Sequence, residues 1–271
     1  MQGYASRRSR NASGNAGMRL PAPTAMHDDH NRAPMAVTPA SSLTRQARLD
    51  LLDVAVGLRP AARIFVREGA ETHEGLMIIE RFGLDACAGR GLVRIPVGEA
   101  FADGFAARAE ARCERMAALY VARNHDGAER ARTLDEAADD GGLGTALGYP
   151  ACCVGSVIAR GGVPSLSESV WSYSDGSGFD PLLWPAAALA DGALLPHFPC
   201  GPSCTASRSM ALARWRAVQS TMPELATPIV QAARARYWVD AAGRAQTDAR
   251  GAVPGEDQVV VTARGELRWE A

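Results

Sequence analysis

Three runs after Pro60 decide the fold class: ARIFVR at residues 62–67, LMIIE at 76–80 and LVRIP at 92–96. Each has the length and apolar content of a β-strand. Upstream, Leu43, Ala47, Leu51 and Val54 recur at helical spacing, so a helix over 43–56 opens the folded part. Downstream, the sequence predicts an Ala-rich helix over 99–116, a strand over 118–123 (ALYVAR) and a helix over 127–138. Helices and strands thus mix over residues 42–140.

Residues 139–149 (DDGGLGTALGY) are dense in glycine. Gly142-x-Gly144 and Gly148 superficially suggest a dinucleotide-binding loop, but such a loop follows a strand directly and here a helix precedes it. The stretch reads as a flexible approach to the next helix. That helix, ACCVGSVIAR, has Pro150 at its start and Gly161-Gly162 at its end. Residues 164–180 read as a polar loop, 182–190 as a short helix interrupted at Pro185, and 194–204 as too rich in proline for regular structure. A helix over 205–219 puts Ala211, Trp215 and Val218 on the face of Cys204. Another covers 224–233, and residues 236–240, 258–262 and 267–270 read as short strands. The fold class is α+β, with a mixed α/β N-terminal part, a helical cysteine-bearing segment and short C-terminal β strands. The chain divides into a disordered tail (1–41), the α/β part (42–140), a cysteine-motif metal-binding part (141–235) and a β C-terminal tail (236–271). Residues 42–271 are also compatible with one domain.

Composition excludes several chemistries. All 29 basic residues of the 271 are arginine. Without lysine there is no Schiff-base lysine, no phosphate-loop lysine and no lysine base. A net charge of −1 indicates no nucleic-acid partner. No apolar run reaches the roughly 18 residues that a membrane helix needs. No apolar signal-type stretch opens the chain, so a reducing cytoplasm is the expected compartment. There, clustered cysteines serve as metal ligands or catalytic thiols more often than as disulfides.

Four of six cysteines form two pairs: Cys152-Cys153 in the first turn of a helix, and Cys200-x-x-x-Cys204 in a Pro/Gly loop entering another. Helix starts offer unpaired N–H groups and the positive end of the helix dipole, which lower a thiol pKa. If the two starts face each other, four sulfurs converge. Structural zinc usually takes Cys-x-x-Cys pairs, whereas adjacent helical cysteines diverge by about 100°. A cluster with several irons accepts diverging ligands more readily, so an iron–sulfur cluster leads and zinc is the alternative cofactor. His197, three residues before Cys200, competes as a ligand, and its bland role is a bond to a loop carbonyl. Cys87 and Cys113 read as core filler and His125 as isolated.

The run Leu147-Gly148-Tyr149-Pro150-x-Cys152-Cys153, followed by His197-Phe198-Pro199-Cys200-x-x-x-Cys204, resembles the signature of an uncharacterised prokaryotic family of unknown function. The likeness covers roughly residues 118–220. It implies that the motif residues form one site, and it supplies no reaction.

Arg208, Arg214 and Arg216 read as solvated surface or as anchors for an anionic small molecule. Tyr149 and Trp171 are substrate-binding candidates, and Trp171, Tyr173 and Trp184 either roof the site or fill the core. Three functional readings follow: an iron–sulfur protein acting on a small molecule or a redox partner, a structural-zinc interaction module, and a metal-free thiol enzyme with Cys152 or Cys153 as nucleophile and His197 as base.

Overall fold

The computed structural model describes residues 43–67, 69–96, 113–174, 178–190, 192–241, 243, 245–251, 253–256 and 258–263. The predicted tail over 1–41, most of the helix over 99–116 and the strand over 267–270 lie outside these residues. The described residues belong to one compact unit, Met35–Ala271.

Helix α1 (Arg45–Ala55) starts where Thr44 caps it, its side chain accepting from the Ala47 N–H at 3.2 Å. Strand β1 (Ala61–Arg67), helix α2 (Ala70–Arg81), strand β2 (Asp85–Pro96) and strand β3 (Cys113–Ala122) follow. The sheet is antiparallel in the order β1-β3-β2, with Ala61 opposite Ala122 and Pro96 opposite Cys113. The β2–β3 register shifts between Ala88 and Leu92, across Gly89 and Gly91. Alternation splits the side chains between two cores. Ala62, Ile64, Val66, Leu119 and Val121 face α1 and α2 with Leu49, Leu52 and Ile79. Ala61, Ala118, Tyr120 and Ala122 face helix α3 (His125–Glu136), which brings Ala128 and Ala131.

Two sequence expectations change here. Residues 76–80 are helical, because burial follows Gly75, Ile79 and Phe82 while Met77 is exposed, a period of nearly four. Residues 113–116, expected to end a helix, open β3 instead.

The glycine-dense stretch is no flexible approach either. It forms helix α4 (Asp140–Ala146), capped by Asp139, whose carboxylate accepts from the Gly142 N–H at 2.8 Å. A Cβ on Gly144 would come within 2.8 Å of Val154 Cγ2, so that glycine serves close packing of α4 on helix α5 (Ala151–Arg160). The expected polar loop contains helix α6 (Leu166–Trp171), begun by a capping box between Ser165 and Glu168.

A 3₁₀ stretch at Pro185–Ala190 leads through irregular chain to helix α7 (Thr205–Thr221). A 3₁₀ turn (Pro223–Leu225) and helix α8 (Ala226–Arg234) follow. Ala211, Trp215 and Val218 of α7 join the core of α1 and the sheet, as the helical spacing anticipates. Strands β4 (Tyr237–Val239) and β5 (Ala245–Thr247) pair antiparallel. Residues 258–262 form only a bridge between Val261 and Tyr237. Around Tyr237 a second core gathers Phe179 and Trp184, stacked at 4.3 Å, with Tyr173, Leu189 and Val239. No helix among the described residues is long and apolar enough to cross a membrane.

Candidate metal centre

The two cysteine pairs meet because two helix starts meet. Pro150 stands immediately before α5, which puts Cys152 and Cys153 in its first turn. Cys204 is the cap residue of α7, its sulfur accepting from the Ser207 N–H at 3.5 Å where a Ser or Asp oxygen would ordinarily sit. Cys200 arrives on the intervening loop, and its N–H donates to Cys153 Sγ at 3.3 Å. The four sulfurs all lie within 4.8 Å of one another. Cys152 is 3.9 Å from Cys153 and 3.7 Å from Cys204, and Cys153 is 3.7 Å from Cys204. The four cysteines are therefore positioned to bind a metal ion. Cys153 and Cys204 are buried, Cys200 is half-buried and Cys152 is exposed.

Crowding makes these thiols unequal. Burial pushes Cys153 up to about 12, against the hydrogen bonds from Ser207 and the Cys200 N–H. Burial and the neighbouring thiols of Cys204 and Cys152 also raise Cys200. Burial would raise Cys204 too, but the Ser207 side chain and N–H and the thiols of Cys200 and Cys153 outweigh it, bringing it down to about 6. Four thiolates this close cannot all ionise without a compensating cation, so metal uptake must displace protons.

His197 is not among the donors that lie within 4.8 Å of one another. Its Nε2 lies 2.9 Å from Ser207 Oγ, and that oxygen lies 3.2 Å from Cys153 Sγ. Ser207 is wholly buried. Burial, then the cations of Arg59 and Arg214, hold His197 down at about 4, so the imidazole is neutral at pH 7. Its Nδ1 is buried without a hydrogen-bond partner among the described residues.

Tyr149 stacks on the His197 ring at 5.0 Å, and the Arg59 guanidinium lies 5.1 Å from the Tyr149 centroid. Behind it stands a buried ion network. Arg59 reaches Asp50 at 2.9 Å and Asp53 at 3.8 Å, and Arg214 reaches Asp50 at 2.7 Å and holds Asp53 through Nε and Nη2. Arg59 also donates to the Leu147 carbonyl at 2.9 Å, tying this network to the turn before α5. Arg214, read from sequence as surface or substrate anchor, is instead fully buried on α7.

Of the other candidates, Arg208 is exposed and ion-paired with Asp180 at 3.1 Å, and Trp171 ends α6 with its side chain exposed. Tyr173 and Trp184 belong to the second core. Sequence reasoning overlooks Ser207, Arg59, Asp50 and Asp53. Only the Asp50/Asp53 pair left a signal, as two acids inside the apolar face of α1. It also separates Cys87 from His125, whereas Cys87 Sγ lies 3.6 Å from His125 Nδ1.

No family model, curated protein or solved structure matches the chain.

Proposed function

We propose that the four thiolates hold one tetrahedral ion, zinc(II) in the simplest case, as a structural centre locking α5 and the 194–204 loop to the start of α7. The sulfur spacing carries this reading. Metal–sulfur bonds of 2.3 Å in a tetrahedron set the sulfurs about 3.8 Å apart; the three separations among Cys152, Cys153 and Cys204 are 3.7–3.9 Å, and the Cys200 sulfur lies within 4.8 Å of each. Four protein thiolates fill a tetrahedral zinc site, which makes it closed and structural. Backbone and hydroxyl donors to Cys153 and Cys204 are the outer partners such a site requires.

An iron–sulfur cluster remains the second reading. In a four-iron cluster each sulfur binds a different iron, which spreads the four farther apart than one ion does. Its supporting observation is Cys152, whose exposure would bring a cluster edge to a redox partner or a small molecule. A metal-free thiol enzyme draws less support, since Cys153 holds its proton to about 12 and His197 meets Ser207 rather than a sulfur. On the metal-centre reading, the likeness to the prokaryotic signature family marks a shared metal site, and cysteines free of disulfides accord with a cytoplasmic protein.

Metal and acid-labile sulfide analysis, with a visible spectrum, on protein purified without oxygen tests the proposal. Colourless protein with zinc that Cys153→Ser and Cys204→Ser remove is expected, and chelation should unfold it. Brown protein with iron and sulfide would overturn the single-ion reading in favour of the cluster.

A further inference from the structure

A second group of donors lies where strand β2 meets the start of helix α3. Cys87 comes from β2, opposite Tyr120 of the central strand, and its side chain is 5% exposed. His125 opens α3, and Glu129 follows four residues later, one turn along the same helix face. The Cys87 sulfur, a His125 ring nitrogen and a Glu129 carboxylate oxygen all lie within 4.8 Å of one another. We infer that Cys87, His125 and Glu129 form a second metal site, independent of the four-cysteine centre, for a borderline divalent cation of the zinc(II) class.

The donor set selects that class. Thiolate and imidazole suit zinc, while calcium and magnesium demand oxygen ligands. The ligands sit on a paired strand and a capped helix, which hold them without loop motion. Arg132 grips Glu129, with Nε 2.9 Å from Oε2, and also pairs with Glu136 at 2.9 Å. That contact orients the carboxylate as an outer partner does in built metal sites. One thiolate and one carboxylate neutralise a dication, so the ion and its three ligands together carry no net charge. Three protein donors leave a fourth position, and the exposure of His125 and the partial exposure of Glu129 open it to water. This is the ligand number of a reactive zinc, in contrast to the closed set of four thiolates. Uptake replaces the Cys87 thiol proton and therefore releases it to solvent.

Titration of the metal-stripped full chain with cobalt(II), followed by zinc(II), tests the site. The wild type should take up two equivalents, one with the intense sulfur-to-cobalt absorption of four thiolates and one with a much weaker band. His125→Ala and Glu129→Gln, both at the surface, should each take up one equivalent and keep the intense band. Cys153→Ser should lose the intense band and keep the weak one, which separates failure of one site from failure of the other. Saturation of the wild type at one equivalent with the intense band, or an undiminished second equivalent in His125→Ala, would overturn the inference.

Discussion

The Ser207 hydroxyl oxygen lies 3.2 Å from the Cys153 sulfur, wholly buried in the first turn of α7. A thiolate, as Cys153 would be on a metal, can only accept, so there the hydroxyl would donate to it. Its oxygen then accepts from Nε2–H of neutral His197 at 2.9 Å. One hydroxyl proton thereby orders two groups: it supports the Cys153 ligand, and it fixes the imidazole as the tautomer with a bare Nδ1.

Ser207→Ala should therefore weaken metal binding without changing its stoichiometry. Loss of an outer partner costs about 10–100-fold in affinity, and competition with a chromophoric chelator reads that change directly. Affinity equal to the wild type would show the hydroxyl to be filler.

Asp53→Ala should destabilise the fold far more than an ordinary surface change. The carboxylate is buried between Arg214 and Arg59, and its loss leaves two buried guanidinium groups facing Asp50 alone. Breaking such a buried network costs about 3–5 kcal/mol, a large share of the roughly 5–15 kcal/mol that holds a domain together. Urea denaturation of the metal-loaded protein checks this, and a loss below about 1 kcal/mol would mean that the cations find water.

The cysteine centre was legible because its ligands sit at helix starts. Pro150 and the turn residues before Cys204 mark those starts locally, and nearest-neighbour chemistry does the rest. The α2 helix was not legible, since a run of four apolar residues, Leu76 to Ile79, fits either period and only the burial of Ile79 beside the exposure of Met77 settles it. Glycine around Gly144 serves freedom and close approach equally well, and the deciding contact, with Val154, lies on another helix. Arg214 and Asp53 stand 161 positions apart, with no local pattern to announce their pairing. Cys87 and His125, 38 apart, meet only because β2 and α3 share one sheet face.

Gly148→Ala and Gly161→Ala form a matched pair of tests. Both glycines have left-handed φ, +76° and +74°. Gly161 faces open space, whereas a Cβ on Gly148 would meet Pro60 Cδ at 2.6 Å. Gly161→Ala should lose only the backbone cost, about 1 kcal/mol, and Gly148→Ala about 1–3 kcal/mol more from overpacking. Thermal denaturation gives both values, and equal losses would show that Pro60 yields freely. The Gly148 change should also disturb Tyr149, because the next residue carries the ring that stacks on His197.

His197 gives stability a pH dependence whose sign is fixed. Its folded pKa is about 4, below the ordinary 6.5, because burial and then the Arg59 and Arg214 cations disfavour the charged ring. As pH falls from about 6.5 to 4, the unfolded chain takes up a proton that the folded chain refuses, so stability falls through that window and levels off below it. The loss is on the order of 3 kcal/mol. Protonation of the thiolates and release of metal act in the same direction, so the wild type alone cannot isolate the ring. His197→Phe keeps an aromatic surface against Tyr149 and removes the titration. Denaturation from pH 7 to 4 should show a shallower decline in the variant, with the contribution of the cysteines common to both proteins. Parallel curves would mean that the folded imidazole protonates near its ordinary pKa, and that Ser207 Oγ does not hold it as a neutral donor.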